Sequence, residues 1–344
     1  MKNKVALIGV YPPPIGGISI HIKRLCNELD RRGIPYTVYD NTLGQKDRPY
    51  VYTGPIEKWV LKYWFTATES VIHCHFSRWL VLFFLSLLKL RGKRVLFTFH
   101  SYRGETEALP WWKKAIIRMT GWLGDRFICV SEEVAEKIAK IGIPRHKILV
   151  ISPFIPPNDG PHQSPSLPPS VQTFLRDGSP LVVANGCVGN FFKGEDLYGA
   201  DLCVELAHRL KKEFPHIRFV YCITSVVDAH YLEELKKRVE SYGLTNHFLF
   251  VQEQMELYPL LQRADLFVRP TLSDGDALSI REALMFGTPV LASDAVERPE
   301  HVVVFQNRNL EDFEEKARTI LREGRKINPL KPDNAVEAIL ELYR

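Results

Sequence analysis

Short β-branched runs alternate with segments of helical periodicity from the start of this chain, stop at a cluster of prolines, and then start again. Nothing else in the sequence constrains the fold as tightly. Residues 5–10 read as a strand. A helix is expected over 17–32, with Ile18, Ile22, Leu25 and Leu29 at steps of three and four and Gly33 as its stop. Further strands are expected at 36–39, 71–74, 94–99, 126–130 and 147–151, with helices at 79–90, 111–123 and 131–141. Ser131 suits an N-cap, and Glu132 and Glu133 stand in the first turn, where the helix dipole favours acids. Pro153, Pro156, Pro157, Pro161, Pro165, Pro168, Pro169 and Pro180 then interrupt the pattern and mark a linker. Alternation resumes with strands at 181–184, 218–223, 248–251, 266–268 and 290–292 and helices at 196–213, 229–242, 257–263 and 279–286.

Such alternation requires a parallel sheet covered on both faces. The 344 residues accommodate two domains at roughly 100–200 residues each. The expected fold class is therefore α/β, with two Rossmann-like domains facing across a cleft. The first domain covers 1–155, the Pro-rich linker 156–180 and the second domain 181–344, whose last helix is free to pack back on the first. Ligands of such sheets bind at the carboxyl ends of the strands, which directs attention to the cleft.

The six cysteines form no CxxC and mostly sit in apolar runs, so reduced thiols and a cytoplasmic protein are expected. The longest apolar run, 79–88, has ten residues between Arg78 and Lys89, about half of what a membrane span needs. The apolar run at 5–10 is too short for a signal-peptide core. Charge is unevenly spread. Residues 1–160 hold 24 Lys and Arg against 13 Asp and Glu, whereas 161–344 hold 21 against 27. A basic first half suits an anionic partner such as a membrane surface, a phosphorylated acceptor or nucleic acid; the plain alternative is a solvated basic surface.

Five stretches carry candidate chemistry. Tyr11-Pro-Pro-Pro-Ile-Gly16-Gly17 joins the first strand to the first helix, where glycines allow close backbone approach and the helix start favours an anion. It is not GxGxxG, so the dinucleotide fingerprint is absent. His73-Cys74-His75 ends a strand with both histidines on one face; with no third ligand in view, a structural or substrate-lining role outweighs a metal, and no metal site is expected. His100 stands where the strand 94–99 enters a loop, placed to donate to a sugar hydroxyl or to serve structurally. Asn185-Gly-Cys-Val-Gly-Asn-Phe-Phe-Lys193-Gly194 reads as a loop that carries a lysine suited to a diphosphate. The fifth, Arg269 to Val290, says most. A polar loop with Asp274, Asp276 and Ala277 leads into a helix at Leu278 and Ser279, and Glu282 lies one turn further in. The helix start can face a diphosphate while carboxylates on either side accept from hydroxyls. Asp274-Gly-Asp276 could alternatively hold Mg²⁺.

At these residues the chain resembles the retaining glycosyltransferases of the GT-B type, in particular family 4 (group 1 glycosyltransferases). The resemblance runs from the Gly16-Gly17 turn through His100, Ile128-Cys-Val-Ser-Glu132 and Lys193-Gly194 to Glu282-Ala-Leu-Met-Phe-Gly-Thr-Pro. It implies a nucleotide-sugar donor, with UDP- and GDP-sugars the leading candidates, and a saccharide or lipid-linked saccharide acceptor in surface polysaccharide or glycolipid synthesis. Gly16 and Gly17 would approach donor phosphates or acceptor, and His100 the transferred sugar. Lys193 and the backbone of Ala277, Leu278 and Ser279 would meet the diphosphate, with Asp276 beside them. Asp274 would hold sugar hydroxyls and Glu282 the ribose. Such enzymes use no cofactor and generally no metal, so leaving-group charge falls to lysine and helix amides. The chain departs from the pattern in having Asp274 where Glu is usual, Asp276-Ala277 where Phe-Gly is common, and Cys187 in place of an arginine, for which Arg269 or Arg281 could substitute.

The aromatic stretches 59–65 and 109–122 interleave Trp with Lys and read as a surface for peripheral docking on the inner face of the cell membrane, or alternatively as core. Rival readings are a nucleotide-sugar epimerase of the same architecture, a nicotinamide oxidoreductase and a non-catalytic carbohydrate- or membrane-binding homologue. Nucleic acid is not expected as a partner, since no recognisable module for it is present.

Overall fold

The computed structural model describes residues 4–43, 46, 51–102, 109–157, 166–176, 179–324, 327–331 and 335–344. The chain divides into two compact units. One comprises residues 1–158 and 333–344, the other 159–332.

The first unit is built in the order β1 (Val5–Gly9), α1 (Gly17–Arg31), β2 (Tyr36–Asp40), β3 (Val51–Thr53), α2 (Ile56–Thr66), β4 (Val71–Cys74), α3 (Trp79–Ser86), β5 (Arg94–Phe99), α4 (Trp111–Leu123), β6 (Arg126–Cys129), α5 (Glu132–Lys140) and β7 (Ile148–Val150). Its seven strands pair in the order β3-β2-β1-β4-β5-β6-β7, all parallel. Alternation along β1 shows why both faces are covered. Val5 and Leu7 pack with Ile22, Leu25 and Leu29 of α1, whereas Ala6 and Ile8 face the layer formed by α2 to α5. Ser131 caps α5 by accepting from the Val134 amide.

In the second unit, α6 (Pro169–Phe174) and β8 (Leu181–Val188) are followed by a short antiparallel hairpin of β9 (Phe191–Phe192) and β10 (Glu195–Asp196). Then come α7 (Ala200–Leu210), β11 (Arg218–Val226), α8 (Ala229–Ser241), β12 (Phe248–Val251), α9 (Tyr258–Leu261), β13 (Leu266–Arg269), α10 (Leu278–Met285), β14 (Val290–Ser293), β15 (Val303–Phe305) and α11 (Leu310–Glu323). The six parallel strands run β12-β11-β8-β13-β14-β15. Val182 and Ala184 pack against α7 and α11; Leu181 and Val183 face α6, α9 and α10.

Both sheets share one topological property. The chain builds outward from its first strand in one direction, then returns to that strand's other side and builds the opposite way. The switch lies between β1 and β4 in the first unit and between β8 and β13 in the second. At such a point the loops diverge and leave a crevice at the carboxyl ends of the strands.

The structure departs from expectation in several places. The helix expected from 196 begins at Ala200, because the Asp196 carboxylate accepts from the amides of Tyr198, Gly199 and Ala200 and so lies outside it. Residues 185–188 are strand, not loop, and Lys193 falls on the hairpin turn that follows. The Pro-rich segment contains α6, whose Val171 is buried with Leu167 in the second core; residues 158–165 lie outside the described set. Of the aromatics in 59–65, Tyr63 is buried and donates to Glu69, Trp59 and Trp64 are partly buried, and Phe65 alone is exposed.

The last helix, α12 (Ala335–Glu341), belongs to the first unit. Val336, Ile339, Leu340 and Tyr343 join the cluster around Val5, Leu7 and Leu25. Arg94 donates to the Leu342 carbonyl at 3.0 Å, Arg32 pairs with Glu337, and the Tyr343 hydroxyl lies 2.6 Å from His73 Nδ1. Tyr343→Phe strands that buried imidazole nitrogen. It is expected to lower stability by about 1–3 kcal/mol, measured by urea denaturation.

Candidate functional site

Each unit gathers its polar side chains at its switch point. In the second unit Arg269 closes β13 and Asn185 lies in the neighbouring β8. The Arg269 guanidinium donates to the Asn185 carbonyl at 2.8 Å, to Asn185 Oδ1 at 3.1 Å and to Asp274 Oδ2 at 3.0 Å. It also lies over the Tyr198 ring, 5.2 Å from the centroid. The loops after the two strands are tied together, with the Leu272 amide on the Leu197 carbonyl. Gly199 has a φ of +65°, and a Cβ there would lie 2.5 Å from the Pro270 carbonyl oxygen. Glycine is the residue that permits this approach.

Asp274 is held by more than one cation. Arg298, from the segment after β14, lies 3.6 Å from the same carboxylate and is itself fixed by bonds to the Ser293 carbonyl and the Thr271 hydroxyl. Burial favours the neutral acid, but Arg269 and Arg298 outweigh it and hold the Asp274 carboxyl below its ordinary 3.8. The carboxylate is therefore ionised at neutral pH. It also accepts from the Gly275 amide at 3.2 Å and the Thr271 hydroxyl at 3.4 Å, which leaves about one of the roughly four lone-pair sites of an ionised carboxylate.

The loop then enters α10. Ala277 is its N-cap and supplies no side-chain cap; the Ile280 amide already bonds the Ala277 carbonyl at 3.0 Å, so the acceptors at this start are sought by the Leu278 and Ser279 amides. Ala277, Leu278 and Ser279 are all buried. Both Asp276 oxygens accept from Arg281 Nε, at 2.8 and 2.7 Å. Glu282 is 4 % exposed, one turn inside the helix. Lys193 stands at the hairpin turn with a φ of +53° and is exposed, its ammonium 5.6 Å from the Phe192 ring centroid. Of the two arginines suggested as substitutes for the cation missing at Cys187, Arg269 is bound to Asp274 and Asn185, and Arg281 to Asp276.

In the first unit Gly16 is the N-cap of α1 with extended backbone, φ −165°. A Cβ built there meets nothing within 4 Å, so packing inside the chain does not demand glycine. Ser19 closes the turn by accepting from the Gly16 amide and donating to the Pro14 carbonyl. Gly17 is the first residue of the helix. Nearby, His100 follows β5, His75 follows β4, and His21 comes from α1. His75 Nδ1 and His100 Nε2 are 3.1 Å apart, and His21 Nδ1 is 2.6 Å from the Pro153 carbonyl. Burial lowers the basicity of all three, His21 to about 4. His73 has different work: it sits between the Tyr343 and Thr98 hydroxyls, at 2.6 Å from each.

Two residues escaped the sequence reading. His21 had a visible signal: it falls three residues after Ile18 and four before Leu25, on the helix face that the apolar residues mark as buried. Arg298 had none, because its partners are set by tertiary folding.

Arg298→Ala leaves a buried carboxylate with one fewer cation. It is expected to destabilise the protein by about 3–5 kcal/mol at pH 7. Asp274 has a depressed folded pKa, so the stability it supplies is present above 3.8 and lost as pH falls through the folded value. The gap between wild type and variant should therefore narrow below pH 3.8, which urea titrations across acid pH would reveal.

Comparisons with known proteins agree with this layout. Residues 15–159 match the family model described as Glycosyltransferase Family 4, and residues 187–330 match that of Glycosyl transferases group 1. The lipopolysaccharide core biosynthesis mannosyltransferase LpsB of Rhizobium meliloti (strain 1021) is 28 % identical over 214 residues, which are 58 % of this chain and 52 % of LpsB. The match thus spans about half the length of that relative. Among solved structures, a glycosyltransferase from Rickettsia africae superposes with a TM-score of 0.72 at 13 % identity, covering 99 % of this chain and 98 % of its own. Anabaena HepE in complex with UDP and glucose gives 0.67 at 15 %, covering 94 % and 91 %. These likenesses establish the GT-B fold, and the two family matches, in the order that the two sheets follow along the chain, establish that it belongs to the family 4-like group 1 glycosyltransferases.

Proposed function

We propose that this protein transfers a sugar from a nucleotide-sugar donor to a saccharide or lipid-linked saccharide during surface polysaccharide or lipopolysaccharide synthesis. The observation that carries this is the uncapped start of α10 at the β8–β13 switch point. The Leu278 and Ser279 amides at this start suit a diphosphate, and the dipole of the helix adds to them. Lys193 supplies a mobile positive charge to the departing nucleotide, and Glu282 accepts from the ribose. Asp274, kept ionised by Arg269 and Arg298, accepts from sugar hydroxyls, and the Asp276–Arg281 pair orders the loop beside them. In the first unit, Gly16 and Gly17 leave open backbone for phosphate or acceptor, and His100 serves the transferred sugar. Retention of configuration, and a diphosphate neutralised without a metal, are part of this proposal and rest on family membership. The UDP and glucose bound by HepE and the mannosyl transfer named for LpsB favour a UDP- or GDP-hexose.

Calorimetry with UDP, GDP, ADP and CMP tests the donor site. One nucleotide should bind, and Glu282→Ala should weaken it about 10-fold or more, as expected for a lost hydrogen bond to a charged group. If none of the four binds, the donor site is refuted and the non-catalytic reading takes its place.

The acceptor side of the proposal rests on a surface. Helix α3 packs between α2 and α4. Together they expose Leu61 and Phe65, then Leu80, then Trp111, Trp112, Met119 and Trp122, with Trp111 at 82 % and Trp122 at 76 %. Exposed Lys58, Lys62, Lys114 and Arg118 lie on the same helices. Indoles beside cations suit a lipid–water interface, and the cations add attraction to anionic headgroups. No helix among the described residues is long and apolar enough to cross a membrane. Peripheral docking on the inner face of the cell membrane is thus the proposed arrangement. Vesicles containing anionic lipid should carry the protein upward in a flotation gradient at low salt, and the Trp111→Ser, Trp122→Ser double variant should be left behind. Absence of wild-type flotation refutes the docking.

A further inference from the structure

The histidines at the first switch point are arranged as ligands, and hydrogen bonding within the chain leaves them incomplete. His21 Nδ1 faces the Pro153 carbonyl at 2.6 Å. A carbonyl only accepts, so Nδ1 carries the proton and Nε2 of the neutral ring is a bare lone pair. That Nε2 is buried without a partner, and so is His75 Nε2. Buried polar atoms of this kind are uncommon and costly. A ring whose far N–H is fixed on a backbone carbonyl, with its other nitrogen open, is the arrangement that surrounds metal-bound imidazoles.

We propose that His21 Nε2, His100 Nε2 and one ring nitrogen of His75 bind a divalent transition-metal ion of the zinc class. One candidate ligand atom from each residue lies within 4.8 Å of the other two. His75 Nδ1 and His100 Nε2 are already 3.1 Å apart. Two nitrogens on one tetrahedral zinc, each bonded at about 2.0–2.1 Å, stand about 3.3 Å apart. The supporting shell is in place. The His75 amide bonds the Ile8 carbonyl at 2.8 Å, and Gly9 makes room for Ile22, on the helix that carries His21, since a Cβ there would lie 2.2 Å from Ile22 Cδ1 and 3.3 Å from His75 Cβ. His73 packs its ring 4.2 Å from that of His75 and is excluded as a ligand, because both of its nitrogens are bonded to hydroxyls.

The trio contains no carboxylate, and Arg24 acts on His21 with like charge. The ion therefore needs an anionic or strongly polar fourth ligand. His100 is only partly buried, so that position is open to solvent hydroxide or to an oxygen of a bound substrate. Three imidazoles with one open position favour zinc, cobalt or nickel over magnesium or calcium, which prefer oxygen. This ion is separate from the second unit's diphosphate site, and its test needs no sugar nucleotide.

The experiment uses the full chain with any affinity tag removed. Elemental analysis of the purified protein is followed by stripping with a chelator and titration with Co²⁺, read by visible absorption and calorimetry. The expected result is one equivalent of metal per chain and the strong visible bands of four-coordinate cobalt. His21→Gln should weaken binding about 100-fold or more, beyond the effect usual for an outer-shell change. Circular dichroism on that variant reports folding independently. If wild-type protein shows neither co-purified metal nor saturable cobalt uptake, the site is refuted whatever the variant does. Binding that persists unchanged in folded His21→Gln also refutes it.

Discussion

Both candidate sites in this molecule depend on the place where each parallel sheet reverses its order of growth. A strand followed by a helix must cross over with a fixed hand, so helices can cover both faces only if the chain restarts on the other side of its first strand. That restart separates the loops after β1 and β4, and those after β8 and β13. The polar side chains collect there because the crevice has no helix to fill it. Asn185, Arg269 and Asp274 line one such point; His21, His75 and His100 line the other. The chemistry differs between the two, with charge pairs in the second unit and neutral rings in the first.

The sheet strands were largely legible because parallel strands buried on both faces read as β-branched runs. Residues 94–99 and 248–251 show this, and both are strands over those spans. The short edge strands β3 and β15 lie outside the expected pattern: β3 is Val51-Tyr52-Thr53 with Tyr52 exposed, whereas Val302 to Phe305 is an apolar run in the sequence even though Val303 and Val304 are exposed in the structure. Lys193 shows a different limit. It is on a loop as expected, but Asn185 to Val188, whose glycine and asparagine suggest a loop, extend β8. Gly186 belongs in that strand for packing reasons: a Cβ would meet the Tyr221 hydroxyl at 2.5 Å. Site residues in order along the chain were visible, whereas the partners that tune them, such as Arg298, exist only after folding.

The surface helices show how one pattern supports two outcomes. Trp59, Tyr63 and Trp64 look like Trp111, Trp112 and Trp122 in sequence, each beside lysine or a related apolar residue. In the structure Tyr63 is committed to Glu69, together with Tyr39, whereas Trp111 and Trp122 are exposed. The difference is a buried acceptor. Glu69 requires donors, and the tyrosines nearest to it are drawn inward.

The return of α12 to the first unit has a consequence for how the protein is made. The cluster containing Val5, Leu7 and Leu25 is completed by Val336, Ile339, Leu340 and Tyr343. The second unit, by contrast, is continuous from 159 to 332. During synthesis it can close as soon as it leaves the ribosome, while the earlier-made unit still waits for its final layer. The N-terminal unit can therefore complete its core only after the second unit has been made in full. Until residues 335–344 arrive, the cluster around Val5 and Leu25 lacks the apolar side chains of α12.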